Sequence, residues 1–138
     1  MVIRKKKLIV QLVITSVMTV IPQVQIRSAE MPQGATVQSG NVTITGTGSN
    51  HMTIDQKTSK SIINWNSFSI NSSGRVDFNM PSSSSSSLNR VTGSTPSNIA
   101  GQLNSNGKVL LINPNGVLIS PTGVINTKAF TASSLDIN

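Results

Sequence analysis

Cysteine and tyrosine are absent from this 138-residue chain, and charged and aromatic residues are scarce, at 11% and 3%. Without cysteine, neither disulfides nor thiolate metal sites can hold the fold. Stability must then come from apolar burial and backbone hydrogen bonding. Large repetitive β-structures achieve this, because each repeat pairs with its neighbours.

The N-terminus has the pattern of a secretory signal peptide. Four basic residues at 4–7 precede a 14-residue, mostly apolar run at 8–21. This run is shorter than the roughly 20 apolar residues of a membrane-spanning helix. We predict a helical signal peptide over residues 1–28, cleaved after Ser28 or Ala29. A retained membrane anchor is the alternative, which the length and flanks of the run disfavour.

The leader carries much of the positive charge. The chain has a formal net charge of +7, but five of its eleven basic residues precede the expected cleavage site and all four acids follow it. The mature part therefore has six basic residues against four acids, a net charge of +2. Nucleic-acid binding needs a basic stripe, often with stacking aromatics. Because these six cations are scattered among one Trp and three Phe, we predict no nucleic-acid partner.

Short β-branched runs recur every seven to nine residues between Gly107 and Ala132. Residues 109–112, 117–119 and 124–125 have the composition of half-buried strands. The Asn-Gly and Thr-Gly pairs beside them tolerate the positive φ of tight corners. Three short strands and three corners make one coil of a parallel β-solenoid. An ordinary antiparallel meander is the alternative.

The rest of the mature chain continues this pattern, with strand-like runs at residues 37–44, 52–54, 62–70 and 76–78. Coils of about 20 to 25 residues predict four to five coils in all. The serine tract Ser82–Ser87 is expected to be a flexible surface loop, and residues 97–103 to include one irregular or helical turn. The last coil has no visible polar cap, so we expect either that the natural polypeptide continues or that this chain is a truncated version of it.

Six segments, in this order, carry a resemblance to a known family. They are residues 52–56 (MTIDQ), 63–70 (INWNSFSI), 76–79 (VDFN), 88–93 (LNRVTG), 96–101 (PSNIAG) and 111–117 (LINPNGV). Together they resemble the N-terminal two-partner secretion (TPS) domain of filamentous haemagglutinin- and haemolysin-type bacterial exoproteins, also called the haemagglutination activity domain. The resemblance runs from about Met31 to Asn138, nearly the whole mature chain.

This resemblance implies an all-β fold, a right-handed parallel β-helix (solenoid) over residues 29–138 with an N-terminal cap and the first coils. It implies export through the Sec machinery and recognition by a dedicated outer-membrane β-barrel transporter. The implied function is a secretion signal and folding nucleus of a large adhesin- or haemolysin-like exoprotein, without catalysis, cofactor or metal. The implied location is extracellular or on the bacterial surface, with host-cell contact left to a missing passenger.

The sequence departs from the family pattern in two respects. Met80 stands where relatives often have Gln before the proline, and the serine tract replaces a more varied loop. Family domains also usually extend about twice as far beyond the signal peptide.

Residues Asn113, Pro114, Asn115 and Gly116 fall on the Asn-Pro-Asn-Gly motif of the family. Their order also suits a tight turn, with proline second and glycine last. A structural role and direct transporter recognition are both open, and they are compatible.

Asn89 and Arg90 form a possible secondary contact, although an isolated arginine on a solvated face is the commoner case.

Several other polar and aromatic residues are candidates for the interior. Internal amide ladders between coils are one reading, and surface positions the other, for Asn64, Asn66, Asn89 and Asn126. Trp65 and Phe68 are three residues apart, so they point to opposite faces of a strand unless a corner lies between them.

His51 is the only histidine, and Asp55 is its nearest acid in sequence. A metal site or an acid–base pair needs converging ligands, and the four acids are widely spaced. We therefore predict no catalytic, cofactor or metal site. The alternative to a secretion domain is a stand-alone surface adhesin or ligand-binding β-helix, with exposed Ser, Thr and Asn as its recognition face.

Overall fold

The computed structural model describes residues 30–135, which form an all-β chain of twelve strands. The predicted signal peptide and the last three residues lie outside the described residues. The strands are β1 Thr36–Ser39, β2 Val42–Thr45, β3 His51–Gln56, β4 Lys60–Trp65, β5 Arg75–Asn79, β6 Ser86–Val91, β7 Ser97–Ile99, β8 Gln102–Ser105, β9 Lys108–Ile112, β10 Val117–Ile119, β11 Val124–Asn126 and β12 Ala129–Ser133. Within residues 30–135 no helix has the length and apolarity that a membrane crossing requires.

Three sheets form the walls of the solenoid. Sheet I has the order β2-β3-β5-β8-β11, sheet II has the order β1-β4-β6-β9-β12, and sheet III pairs β7 with β10. From β3 onward, consecutive strands lie in different sheets, and all pairs beyond the first two strands are parallel. The parallel β-helix prediction is therefore confirmed, and the antiparallel meander is wrong.

The solenoid has four coils, stacked directly on one another. On sheet II, Ile62 is in register with Leu88, 26 residues on, and Leu110 is in register with Thr131, 21 residues on. The expected coil length of 20 to 25 residues is therefore close to the observed spacing. Corners with more residues account for the longer coils.

The first two strands run opposite to the coils. β1 pairs antiparallel with β4, and β2 pairs antiparallel with β3. They cover the edges that the first coil would otherwise expose to strand pairing. Residues 36–45 therefore form a cap at the N-terminal end of the solenoid.

Apart from β1, whose residues are all exposed, the strands point alternate residues into one continuous apolar core. On sheet I, Ile54, Phe78 and Leu103 are almost fully buried. Trp65 and Phe68 are both buried as well, with ring centroids 5.3 Å apart in an edge-to-face contact. β4 ends at Trp65, so a corner lies between the two rings. The run 62–70 is thus not one continuous strand.

The serine tract is only partly a surface loop. Ser82 and Ser84 are exposed, but Ser85 and Ser87 are fully buried, and β6 begins at Ser86. The Ser87 hydroxyl accepts a hydrogen bond from Ser61 at 2.9 Å, so the second half of the tract belongs to the interior of sheet II. Of the irregular or helical turn expected near residues 97–103, the helical alternative is wrong: β7 and the start of β8 lie there, joined by an irregular corner at Ala100 and Gly101.

Candidate functional site

The motif Asn113–Gly116 forms the corner between β9 and β10. The Gly116 amide donates to the Asn113 carbonyl at 2.9 Å, which closes a four-residue turn. Gly116 has φ +111°, whereas no described non-glycine residue has positive φ. A type I turn fits these values, with Pro114 second, Asn115 third and glycine in the last position. The motif thus has a full structural explanation as a turn.

The side chain of Asn113 fixes this turn from beneath. Asn113 is fully buried, and its Nδ2 donates to the Thr95 carbonyl and the Ser97 hydroxyl, both at 3.0 Å. Its Oδ1 accepts from the Asn115 amide at 2.9 Å. Every polar atom of the Asn113 side chain is therefore used, as a buried amide requires.

Asn115 ties the turn to the corner of the preceding coil. Its Nδ2 donates to the Gly93 carbonyl at 2.8 Å, and the Ser97 amide donates to the Gly116 carbonyl at 3.0 Å. Pro114 and Asn115 remain exposed. The result is a rigid two-residue projection whose backbone is held by the coil below it.

The corner after β4, which contains Asn66, lies under the corner at Gly93 and the turn Asn113–Gly116. A Cβ added to Gly93 would collide with the backbone carbonyl of Asn66, so only glycine allows the corners to stack this closely. Sequence reasoning did not assign Gly93 or Asn66 to this site. The order of the matching segments 63–70, 88–93 and 111–117 was the signal that could have grouped them.

The structure separates the two residues of the predicted secondary contact. Asn89 is fully buried, where its Oδ1 accepts from Trp65 Nε1 at 2.9 Å and its Nδ2 donates to Ser87 Oγ at 3.2 Å. In the folded coil its side chain is therefore not accessible to a binding partner. Arg90 is half-buried and lies at an outward-facing position of β6, so the contact role remains a prediction for Arg90 alone.

The four asparagines proposed for amide ladders do not stack on one another. Asn89 lies opposite Ile63 and Leu111 in the neighbouring strands. The strand neighbour of Asn126 is Asn104, which the sequence analysis did not single out. The internal polar contacts of sheet II are instead built from serine, glutamine and a single asparagine.

A polar cluster centred on Asp77 lies on the outer face of sheet I. The Asp77 carboxylate accepts from Arg75 Nε and Asn104 Nδ2, each at 2.9 Å, and contacts His51 Nε2 at 2.7 Å. Burial by itself raises the pKa of Asp77. The hydrogen bonds from Arg75, Asn104 and His51, together with the Arg75 charge, outweigh it and hold this pKa below its ordinary value.

The contacts in this cluster are not those between residues nearest in sequence. His51 contacts Asp77 rather than Asp55, whose Oδ1 accepts from Asn79 at 2.9 Å. Among residues 30–135, no group of three or more His, Asp or Glu side chains is placed to hold a metal ion. The cluster's carboxylates are thus used as hydrogen-bond acceptors between neighbouring coils.

Comparison with known proteins places the chain in a family. The family model described as "TPS secretion domain" matches residues 29–138. The chain belongs to the TPS secretion domain family. A heme/hemopexin-binding protein of Haemophilus influenzae is 44% identical over 108 residues, which is 78% of this chain and 12% of that protein. A second Haemophilus influenzae protein of the same name is 40% identical over the same shares of both chains.

A solved structure supports the same fold. The crystal structure of the HMW1 secretion domain from Haemophilus influenzae matches with a TM-score of 0.73 and 42% identity, over 78% of this chain and 28% of that one. Proteins with a TPS secretion domain are secreted exoproteins, and the domain implies an outer-membrane transporter of the two-partner type. The family is a secretion domain and is not a known enzyme family. The chain spans about an eighth of the length of the curated relatives.

Proposed function

We propose that residues 29–138 are the secretion signal and folding nucleus of an exoprotein, and that the transporter recognises them at the turn Asn113–Gly116. The exposed pair Pro114 and Asn115 supports this proposal. These side chains project from a turn that the buried Asn113 holds in one conformation, and preorganised contacts lose little entropy on binding. In the same proposal, residues 1–28 direct the chain to the Sec machinery.

The folding-nucleus part of the proposal rests on how the coils pair. Each coil hydrogen-bonds along its length to the coil before it, and the antiparallel strands β1 and β2 close the first edge. A solenoid with one closed end can grow in one direction, since each new coil finds a formed edge to pair with. The last strands β10, β11 and β12 are sheet edges that can serve as this template.

We further propose that the domain acts without catalysis and that host contact belongs to a passenger. The absence of catalysis is supported by the use of Asp55 and Asp77 as hydrogen-bond acceptors for side chains of the same sheet. The relatives' length supports a passenger, since the matched region is a small part of each.

Secretion into the medium tests this function. The chain is expressed with and without its cognate outer-membrane transporter, and the protein in the medium is measured. We expect release only when the transporter is present. Release without a transporter would favour the stand-alone adhesin instead.

A matched pair of prolines tests the recognition site. Residues Ser120–Gly123 form a turn like that of the motif, with Pro121 second, exposed, and the Gly123 amide donating to the Ser120 carbonyl at 2.8 Å. We expect Pro114→Ala to reduce secretion about tenfold and Pro121→Ala to leave it unchanged, although each costs roughly 0.4–1 kcal/mol of stability through the unfolded chain. Equal secretion of the two variants would show that the transporter does not recognise this turn.

A further inference from the structure

Charged side chains are distributed unevenly between the two large sheets. The strands of sheet II carry Lys60, Arg90 and Lys108 and no acidic residue, and Lys128 directly precedes β12. Both aspartates of residues 30–135 lie on sheet I instead. The charged residues in the strands of sheet II are therefore all basic, although the mature chain as a whole is close to neutral.

An aliphatic column crosses this same face. Ile62, Leu88 and Leu110 are in register on the adjacent strands β4, β6 and β9. Each is half-buried and alternates with buried neighbours along its strand, so it points away from the core. Since neighbouring strands lie about 4.8 Å apart, the column extends roughly 10 Å along the solenoid.

Two exposed lysines lie along one side of the column. Lys60 and Lys108 precede Ile62 and Leu110 by two residues, on the same face of their strands, and both are in register with Ser86 of the strand between them. The lysines are therefore two coils apart, roughly 10 Å. Lysine stems cover apolar surface while the ammonium groups reach outward, which gives an apolar column with two ammonium groups along one side.

We propose that this face, formed by Lys60, Ile62, Leu88, Lys108 and Leu110, docks on an anionic phospholipid bilayer. Anionic headgroups attract clustered lysines, and aliphatic side chains gain from contact with the interface. A protein partner fits the face less well, because protein interfaces are depleted of lysine and rely on aromatic or arginine anchors in pockets. Trp65 and Phe130, the aromatic residues of sheet II, occupy inward-facing positions.

Vesicle sedimentation tests the proposal. The exported protein is mixed with phosphatidylcholine vesicles that contain either no phosphatidylglycerol or about 30% of it. We expect the anionic vesicles to bind at least about tenfold more protein, and the difference to shrink at high salt because ions screen the attraction. All variants have the same N-terminus, so any contribution of residues 1–29 to vesicle binding is the same in each.

Two charge-matched double variants locate the surface. Lys60→Gln with Lys108→Gln removes two positive charges from sheet II, while Gln102→Glu with Asn126→Asp makes the same net change at exposed positions of sheet I. We expect the lysine variant to lose binding about 10- to 30-fold and the sheet I variant to lose much less. Leu110→Thr should weaken the binding that remains at high salt. Circular dichroism checks that each variant is folded.

Three outcomes would overturn the proposal. The first is equal binding to neutral and anionic vesicles, and the second is equal loss in the two double variants. The third is binding to lipopolysaccharide micelles without binding to phosphatidylglycerol vesicles. A lysine variant that binds vesicles normally but fails only in transporter-dependent secretion would assign the face to a protein partner.

Discussion

Gly116 has a backbone conformation that side-chain-bearing residues adopt only with strain. Its φ is +111°, and a Cβ there would meet no atom within 4 Å, so strain rather than crowding decides the effect of a substitution. We expect Gly116→Val to cost about 1–3 kcal/mol and to reduce secretion. Thermal unfolding and the secretion assay measure the two effects.

Gly48 provides the control for this substitution. It has φ +83° and also has open space around its Cβ position, but it lies in the turn between β2 and β3 rather than in the motif. Gly48→Val should destabilise the domain by a similar amount. If secretion falls equally in both variants, stability alone explains the loss. Normal stability and export of Gly116→Val would contradict any role for this turn.

Asp77 makes the domain sensitive to acid. Its pKa in the folded protein lies below the ordinary value of 3.8, so the unfolded chain binds a proton more readily. The resulting stabilisation is fully present above the unfolded pKa and is lost as pH falls through the folded pKa. We expect Asp77→Asn to lower the melting temperature at neutral pH, and the difference from wild type to shrink below about pH 4. A difference that stays constant down to pH 2 would contradict this.

Single residues were predictable where local chemistry decides their role. Asn113, Pro114 and Gly116 form a turn because their order suits one, and the observed turn matches this expectation. Asn89 was not predictable in this way, since its burial depends on which face of β6 points inward. Its acceptor role toward Trp65 depends on register with β4, 24 residues earlier in the chain, and no local pattern contains that information.

At the scale of strands, β6 contributes two polar residues to the core. Ser87 and Asn89 are fully buried on its inner face, and Asn89 accepts from the Trp65 indole. We expect Asn89→Ala to cost about 1–3 kcal/mol, because a buried N–H donor would lose its partner. Denaturant unfolding measures this, with Asn64→Ala as the control, since Asn64 Oδ1 has no hydrogen-bond partner among residues 30–135 to lose. Equal costs for the two variants would contradict the importance of the indole contact.

Strand positions followed from the sequence more reliably than corners did. β9, β10 and β11 lie where apolar runs alternate with Gly-containing turns, because side-chain alternation and turn chemistry are local properties. The corner after Trp65 was hidden, since buried apolar residues recur on both sides of it. The serine tract was misread for the converse reason: small polar side chains fit inside a coil when neighbouring coils supply their hydrogen-bond partners.

At the scale of the whole molecule, the winding direction came from repetition and from the family resemblance. Evenly spaced strands alone were also compatible with an antiparallel meander. The parallel order is a non-local property, because the chain completes one coil, about 21 to 27 residues, between two strands that pair. The antiparallel direction of β1 and β2 could not be read from their residues, since both directions bury alternate side chains in the same way.

This architecture predicts a gradient of stability along the solenoid. Strands β5, β6, β8 and β9 have a paired strand on each side, whereas β1, β2, β11 and β12 lie at sheet edges. In a stack of coils each one is stabilised by its nearest neighbours, so the ends open more easily than the middle. The exposed Leu118, Val124 and Leu135 of the last coil further indicate that little apolar contact holds it.

Native-state hydrogen exchange measures this gradient. We expect amides of β5 and β6 to exchange at least about 100-fold more slowly than those of β11 and β12. The cap makes the gradient asymmetric: β3 and β4 are covered by β2 and β1, so their amides should be nearly as protected as the central strands. Uniform protection from β3 to β12 would instead mean that the four coils open as one cooperative unit, and that the last coil is as firmly held as the first.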